Sequence, residues 1–79
     1  MKYRIFVSLR KGILDPESEA IKKTINNIGF NSVEKISKGK YFDIEFDKNE
    51  KKSKHLIDSI SKDILSNPVI ENFEIKIIK

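Results

Sequence analysis

Leu9-Arg-Lys-Gly-Ile-Leu-Asp-Pro-Glu-Ser-Glu-Ala20 is the stretch that decides how the chain is organised. An alternating apolar segment stops at Leu9, Gly12 permits a turn, and a helical pattern begins at Pro16. Asp15 is suited to the N-cap, because its short carboxylate can accept from the N–H groups of the first helical turn. Pro16 then falls at the first helical position, where a missing N–H costs nothing and φ is already set. Glu17 and Glu19 place negative charge at the positive end of the helix dipole. These residues specify a strand-to-helix junction.

Working outward, Tyr3, Ile5, Val7 and Leu9 alternate with Arg4, Phe6 and Ser8, the period of a half-buried strand. Phe6 lies on the wetter side, which suits either a stacking platform or a residue covered by an oligomer partner. On the other side of the junction, Ala20, Ile21, Thr24, Ile25 and Ile28 form an apolar stripe at helical spacing. Gly29 is placed to close that helix in the left-handed conformation, and Phe30 is expected to fold back onto the core. Val33 to Lys38 reads as a short, polar second strand at a sheet edge. Gly39 interrupts before a third strand, in which Phe42, Ile44 and Phe46 alternate with Tyr41, Asp43, Glu45 and Asp47. Asp47 and Glu50 fit a capping box for a second helix, with Leu56, Ile57, Ile60 and Ile64 directed inward. Asn67-Pro68 ends that helix, since a residue before proline is pushed out of the helical region. Phe73, Ile75 and Ile77 share one face of a last strand.

The predicted order is β-α-β-β-α-β in a single domain over residues 1–79. That order indicates an α+β two-layer sandwich of the ferredoxin-like kind, an antiparallel sheet with two helices on one face. Phe6, Ile78 and the acidic row of the third strand would occupy the opposite face, part of which another chain is expected to cover. The connection at Gly39 is a candidate hinge for a segment-swapped dimer. Size points the same way: a chain of 79 residues buries only about 60% of its unfolded surface. With no cysteine to staple it, oligomerisation is a natural source of further burial.

The composition narrows the chemistry. Without cysteine there is no disulfide, thiolate metal site or cysteine nucleophile. Charges interrupt the opening Met-Lys-Tyr-Arg-Ile-Phe-Val, and no apolar run approaches the roughly 20 residues of a membrane span. A cytoplasmic protein with no membrane partner is expected. The net charge of +4 permits a polyanion partner, but lysines and acids are interleaved along the chain. His55 has no second histidine with which to bind metal. Asp43, Glu45 and Asp47 could offer oxygen ligands to a hard cation, although a salt-bridged strand face explains them as well. Ser8, Ser18, Ser37 and Ser53 lack a triad partner. Gly12, Gly29 and Gly39 form no phosphate-cradling run. No catalytic, cofactor or metal site is expected on this chain. Ile5 to Leu9 and Lys38 to Phe42 faintly resemble the aromatic strands of an RNA-recognition domain. Lys40 stands where an aromatic belongs, and Asp43 and Glu45 would repel phosphate, so no nucleic-acid partner is expected. A stand-alone ligand- or RNA-binding ferredoxin-like module is the alternative reading.

Three pieces in order, Lys11-Gly-Ile-Leu-Asp-Pro16, Gly39-Lys-Tyr-Phe42 and Asn67-Pro-Val-Ile-Glu71, resemble the PurS family across essentially the whole chain. PurS is the small subunit of phosphoribosylformylglycinamidine (FGAM) synthase. The resemblance implies a role in the fourth step of purine biosynthesis, where formylglycinamide ribonucleotide, glutamine and ATP give the amidine, glutamate, ADP and phosphate. In that family the PurQ glutaminase releases ammonia and the PurL synthetase, with ATP and Mg, activates the substrate. The small subunit, a homodimer or tetramer, bridges the two and assists ammonia transfer without catalytic residues of its own. The resemblance further implies partner contacts at Arg10, Lys11, Asp15, Gly39, Lys40, Asn67 and Glu71. Family members often carry proline where Lys11 stands, Gln-Gly at Glu17-Ser18 and a basic residue at Ser37.

Overall fold

The computed structural model describes residues 1–78. Strand β1 (Lys2–Leu9) runs through the middle of a three-stranded antiparallel sheet, between β2 (Gly39–Glu45) and β3 (Glu71–Ile78). Helix α1 (Pro16–Asn27) connects β1 to β2, and α2 (Ser53–Ile60) connects β2 to β3. The register sets Ile5 opposite Phe42 and Ile75, so the odd-numbered side chains of β1 share one face with the aromatics and aliphatics of both neighbours. Tyr3, Ile5 and Val7 are fully buried there under Ile57 of α2, and Phe42, Ile44, Phe46, Leu65, Phe73 and Ile75 pack around them. Removing Ile57 from water contributes about 1.5–3 kcal/mol. The Tyr3 ring meets Phe46 edge to face at 5.9 Å. Its hydroxyl shares a 3.0 Å hydrogen bond with the Ser53 hydroxyl, which keeps a polar group satisfied inside the core.

The junction forms as predicted. Asp15 is extended and its carboxylate accepts from the N–H groups of Glu17 and Ser18. Gly29 takes a positive φ of 106° just beyond α1, as a closing glycine must.

Two expectations for the second helix are corrected. Asp47 and Glu50 do not cap it. Asp47 accepts from the Asn49 N–H at 2.9 Å to close a turn, and the helix begins only at Ser53, without a side-chain cap. Lys48 to Lys52 contain no apolar residue to anchor an earlier start against the sheet. The helix also does not carry Ile64 inward. After Ile60 the chain makes one π turn, Ser61–Leu65, in which the Ser66 N–H reaches back to the Ser61 carbonyl. The wider turn rotates Ile64 to solvent and brings Leu65 onto the core. Ser61 and Ser66 hydroxyls donate to the Ile57 and Ser61 carbonyls and hold the distortion in place.

The largest correction concerns the first helix. In the single chain only α2 lies across the sheet. α1 projects beyond the sheet end, with residues 33–38 returning beside it; Lys22 donates to the Glu34 carbonyl. The chain therefore measures 54 × 28 × 14 Å with a radius of gyration of 16.5 Å, against about 12 Å for a compact domain of this length. Ile21, Ile28 and Phe30 of this arm are exposed, so Phe30 does not fold back.

Val33 to Lys38 pair with no strand. The segment enters β2 with no intervening turn, and Gly39 has no positive φ with which to reverse the chain. A hairpin between residues 33–38 and β2 is thus unavailable within one chain. Gly39 is needed for another reason: a Cβ there would stand 2.6 Å from the Val7 carbonyl oxygen. The α+β class, the antiparallel sheet and both helices stand as read.

Candidate subunit-contact site

The residues singled out in the sequence gather at one end of the sheet, where β1 leaves and β2 and β3 begin. Arg10 is the tie between two loops. Its Nε and Nη2 donate to the Pro68 carbonyl at 3.2 and 2.7 Å, and its backbone N–H donates to the Ile70 carbonyl at 2.8 Å. Gly12, at φ 89°, turns the first loop, and the Ile13 N–H closes it on the Arg10 carbonyl. In the second loop the Asn67 side chain accepts from the Val69 N–H, and the Glu71 carboxylate accepts from the Asn67 N–H at 2.7 Å. Lys40 extends toward Glu71 across the β1 strand, with 4.0 Å between the charged atoms. Gly39 sits opposite Ser8 in the same corner.

Asp15 joins the group through Lys38, which the sequence alone did not single out. The Lys38 ammonium lies 2.8 Å from Glu17 and 3.9 Å from Asp15. Partial burial pushes the Asp15 carboxyl up, but the Ser18 hydroxyl, the helix N–H groups and Lys38 together hold it below the usual carboxylate range. The hydrogen bond to Glu17 leads in holding the Lys38 ammonium above its ordinary value. This ion-pair latch fixes the start of α1 to the chain just before β2. Only its position in space reveals it, since nothing in the spacing of Lys38 connects it with Asp15.

Not all seven residues are free to meet a partner. Asp15, Asn67 and Glu71 are spent on internal hydrogen bonds and Gly39 on a close backbone approach, whereas Lys11 has no ion pair among the described residues. A cleft of about 780 Å³ opens beside them, between residues 8–15 and 35–39.

The outer sheet face is a separate surface. Asp43 makes a two-pronged salt bridge with Arg4 at 2.8 and 3.0 Å, and that hydrogen bond chiefly holds its carboxyl below the usual range. Within the acidic row Asp43 is ion-paired, and Asp47 is used to close the turn at Asn49. Phe6 and Tyr41 lie 6.1 Å apart, with Lys76 over the first ring and Arg4 over the second. Cations of the chain itself thus lie against both rings, a cation–π arrangement that accounts for the aromatics on this face. Among the described residues, no group of three His, Asp or Glu side chains could hold a metal ion, and no helix is long and apolar enough to cross a membrane.

The comparisons with known proteins agree over the whole length. Residues 2–79 match the family described as "PurS: Phosphoribosylformylglycinamidine (FGAM) synthase". Phosphoribosylformylglycinamidine synthase subunit PurS of Methanocaldococcus jannaschii is 38% identical over 79 residues, spanning 99% of this chain and 95% of its own. The Bacillus subtilis PurS structure superposes with a TM-score of 0.87 at 26% identity, covering 99% of this chain and 98% of that one. A chain in the structure of PurLQS from Thermotoga maritima matches with a TM-score of 0.73 at 26% identity, covering 95% and 93%. A match that spans strand, arm and sheet end alike places this chain in the PurS family, the small subunit of FGAM synthase.

Proposed function

We propose that this chain is a non-catalytic assembly subunit of a single domain, which docks a PurQ-type glutaminase on a PurL-type synthetase and assists the passage of ammonia between them. ATP and Mg are used by the synthetase, and this chain itself holds no cofactor. The setting is the cytoplasm, where purine precursors are made. The observation that carries the reading is the arm. Ile21 and Ile28 of α1 are exposed and Phe30 with them, a face that only another protein can bury. We further propose that a second copy provides that cover, so that the working unit is a homodimer joined through its arms. The residues at the sheet end then serve the heterologous contacts. PurLQS names such an assembly for the Thermotoga maritima relative.

The test is reconstitution from purified components of the same host. Adding the chain to synthetase, glutaminase, glutamine, ATP and Mg-ADP should raise glutamine-dependent amidine formation strongly, while amidine formation from free ammonia changes little. Equal glutamine-dependent rates with and without the chain would contradict the adaptor reading.

A further inference from the structure

Strand β3 forms an open edge of the sheet, on the side away from β2 and the arm that feeds it. The register shows which of its backbone groups are spare. The Phe46 N–H donates to the Met1 carbonyl and the Arg10 N–H to the Ile70 carbonyl, each pair continuing its ladder by one residue. Bonded and non-bonded pairs alternate along an antiparallel ladder, so odd residues of β1 bond to β2 and even ones to β3. The even residues of β3 therefore face β1. The N–H and C=O groups of Phe73, Ile75 and Ile77 point outward, with no partner among the described residues. Glu71, the first outward residue, has its N–H taken by the Asn67 carbonyl. Free edges are usually blunted by proline, a bulge or charges of one sign. β3 has none of these. It pairs with β1 residue for residue from Glu71 to Ile78, and its outer side carries one acid, Glu74, and one base, Lys76. Ile77 is 52% exposed although it shares the core-facing side with Phe73 and Ile75.

We infer that the β3 edge is a second contact between copies of this chain, separate from the arms, at which two β3 strands pair antiparallel about a two-fold axis at Ile75. Charge selects that register. An axis at Glu74 would set this carboxylate against its own copy, and an axis at Lys76 would oppose two ammonium groups; both are unfavourable like-charge pairs. The axis at Ile75 sets Glu74 opposite the partner's Lys76 and Lys76 opposite the partner's Glu74. Glu74 and Lys76 already lie 3.8 Å apart within one chain, so the contact completes an alternating square of charges. It also sets Ile77 opposite the partner's Phe73, and it supplies partners for the outward N–H and C=O groups of Phe73, Ile75 and Ile77. Such an edge buries less than a standard interface, so it acts at higher concentration than the arms.

The test is sedimentation velocity of the full-length chain from micromolar to millimolar concentration, with thermal melting alongside. The unmodified protein is expected to pass from the arm-joined dimer to a larger multiple as concentration rises. Glu74→Lys and Lys76→Glu, made separately, should each raise the concentration needed about tenfold with melting unchanged, because each reversal opposes like charges twice in one contact. Combining Glu74→Lys with Lys76→Glu restores opposite charges and should restore association. Ile77→Pro removes an outward N–H without breaking a bond to β1, and should leave only the dimer. Single variants that associate as readily as the unmodified chain, or a double variant as weak as the singles, overturn the inference. So does an unmodified dimer that never grows. A dimer that survives Ile21→Asp with Ile28→Asp but is split by Glu74→Lys would keep the β3 contact and remove the arm-joined dimer instead.

Discussion

α1 and α2 carry the same kind of amphipathic pattern and end in opposite circumstances. Ile57 of α2 is 1% exposed beneath the sheet, whereas Ile28 at the close of α1 is 68% exposed. The connections make the difference. A short turn at Asp47–Glu50 brings the chain back over β1, where Ser53 meets the Tyr3 hydroxyl. The loop after β1 is clamped to Pro68 and Ile70 through Arg10, and α1 leaves from it beyond the sheet end with Lys38 paired to its first turn. An apolar stripe states that burial is needed; it does not state which chain supplies it.

That contrast can be broken from either side. The largest single effect on folding is expected from Ile57→Ala, which removes a fully enclosed side chain and should lower stability by about 2–5 kcal/mol in urea denaturation. Ile28→Ala should change the stability of the isolated fold far less, and an equal loss at both positions would erase the distinction. Gly39→Ala comes next. Its Cβ would press on the Val7 carbonyl, so β1 and β2 must part slightly, at a cost of about 1–3 kcal/mol read from the same denaturation. Tyr3→Phe removes one partner of a buried hydroxyl pair and should cost about 1 kcal/mol in thermal melting.

The smallest effect concerns the latch and its pH dependence. Asp15 is held below its unfolded value of about 3.9. A depressed carboxyl stabilises the fold above that pH, and the contribution is lost as pH falls through the folded value. Asp15→Asn keeps an N-cap acceptor but removes the titration. The variant should melt modestly lower than the unmodified chain at pH 7, and the two melting temperatures should converge as pH falls below about 4. Identical acid limbs for the two proteins would count against an Asp15 carboxylate held ionised by Ser18, the helix N–H groups and Lys38.

Much of this frame is legible from residues alone. Asp15-Pro16 and Gly29 mark both ends of α1 by local rules, and Tyr3, Ile5 and Val7 declare a buried strand face by their period. The misses have physical sources. Ile64 and Leu65 exchange places because a π turn, held by Ser61 and Ser66, shifts the helical phase that the pattern assumes. Val33 to Lys38 read as a strand because their length and position allow one, but no edge within the chain is there to pair them. The site was half visible. The resemblance named Arg10, Lys11, Asp15, Gly39, Lys40, Asn67 and Glu71 together, whereas the ion pairs of Lys38 and the exposure of Leu14 and Val69 emerge only from the fold.

The central claim is that this chain completes its core only with a second chain over α1. Sedimentation equilibrium at micromolar concentration tests it most directly. The unmodified protein should sediment as a multiple of its 9.2 kDa chain. Ile21→Asp with Ile28→Asp should return it to a single chain that keeps its sheet by circular dichroism. A wild-type protein that sediments as one 9.2 kDa chain, with α1 open to solvent, would contradict the account.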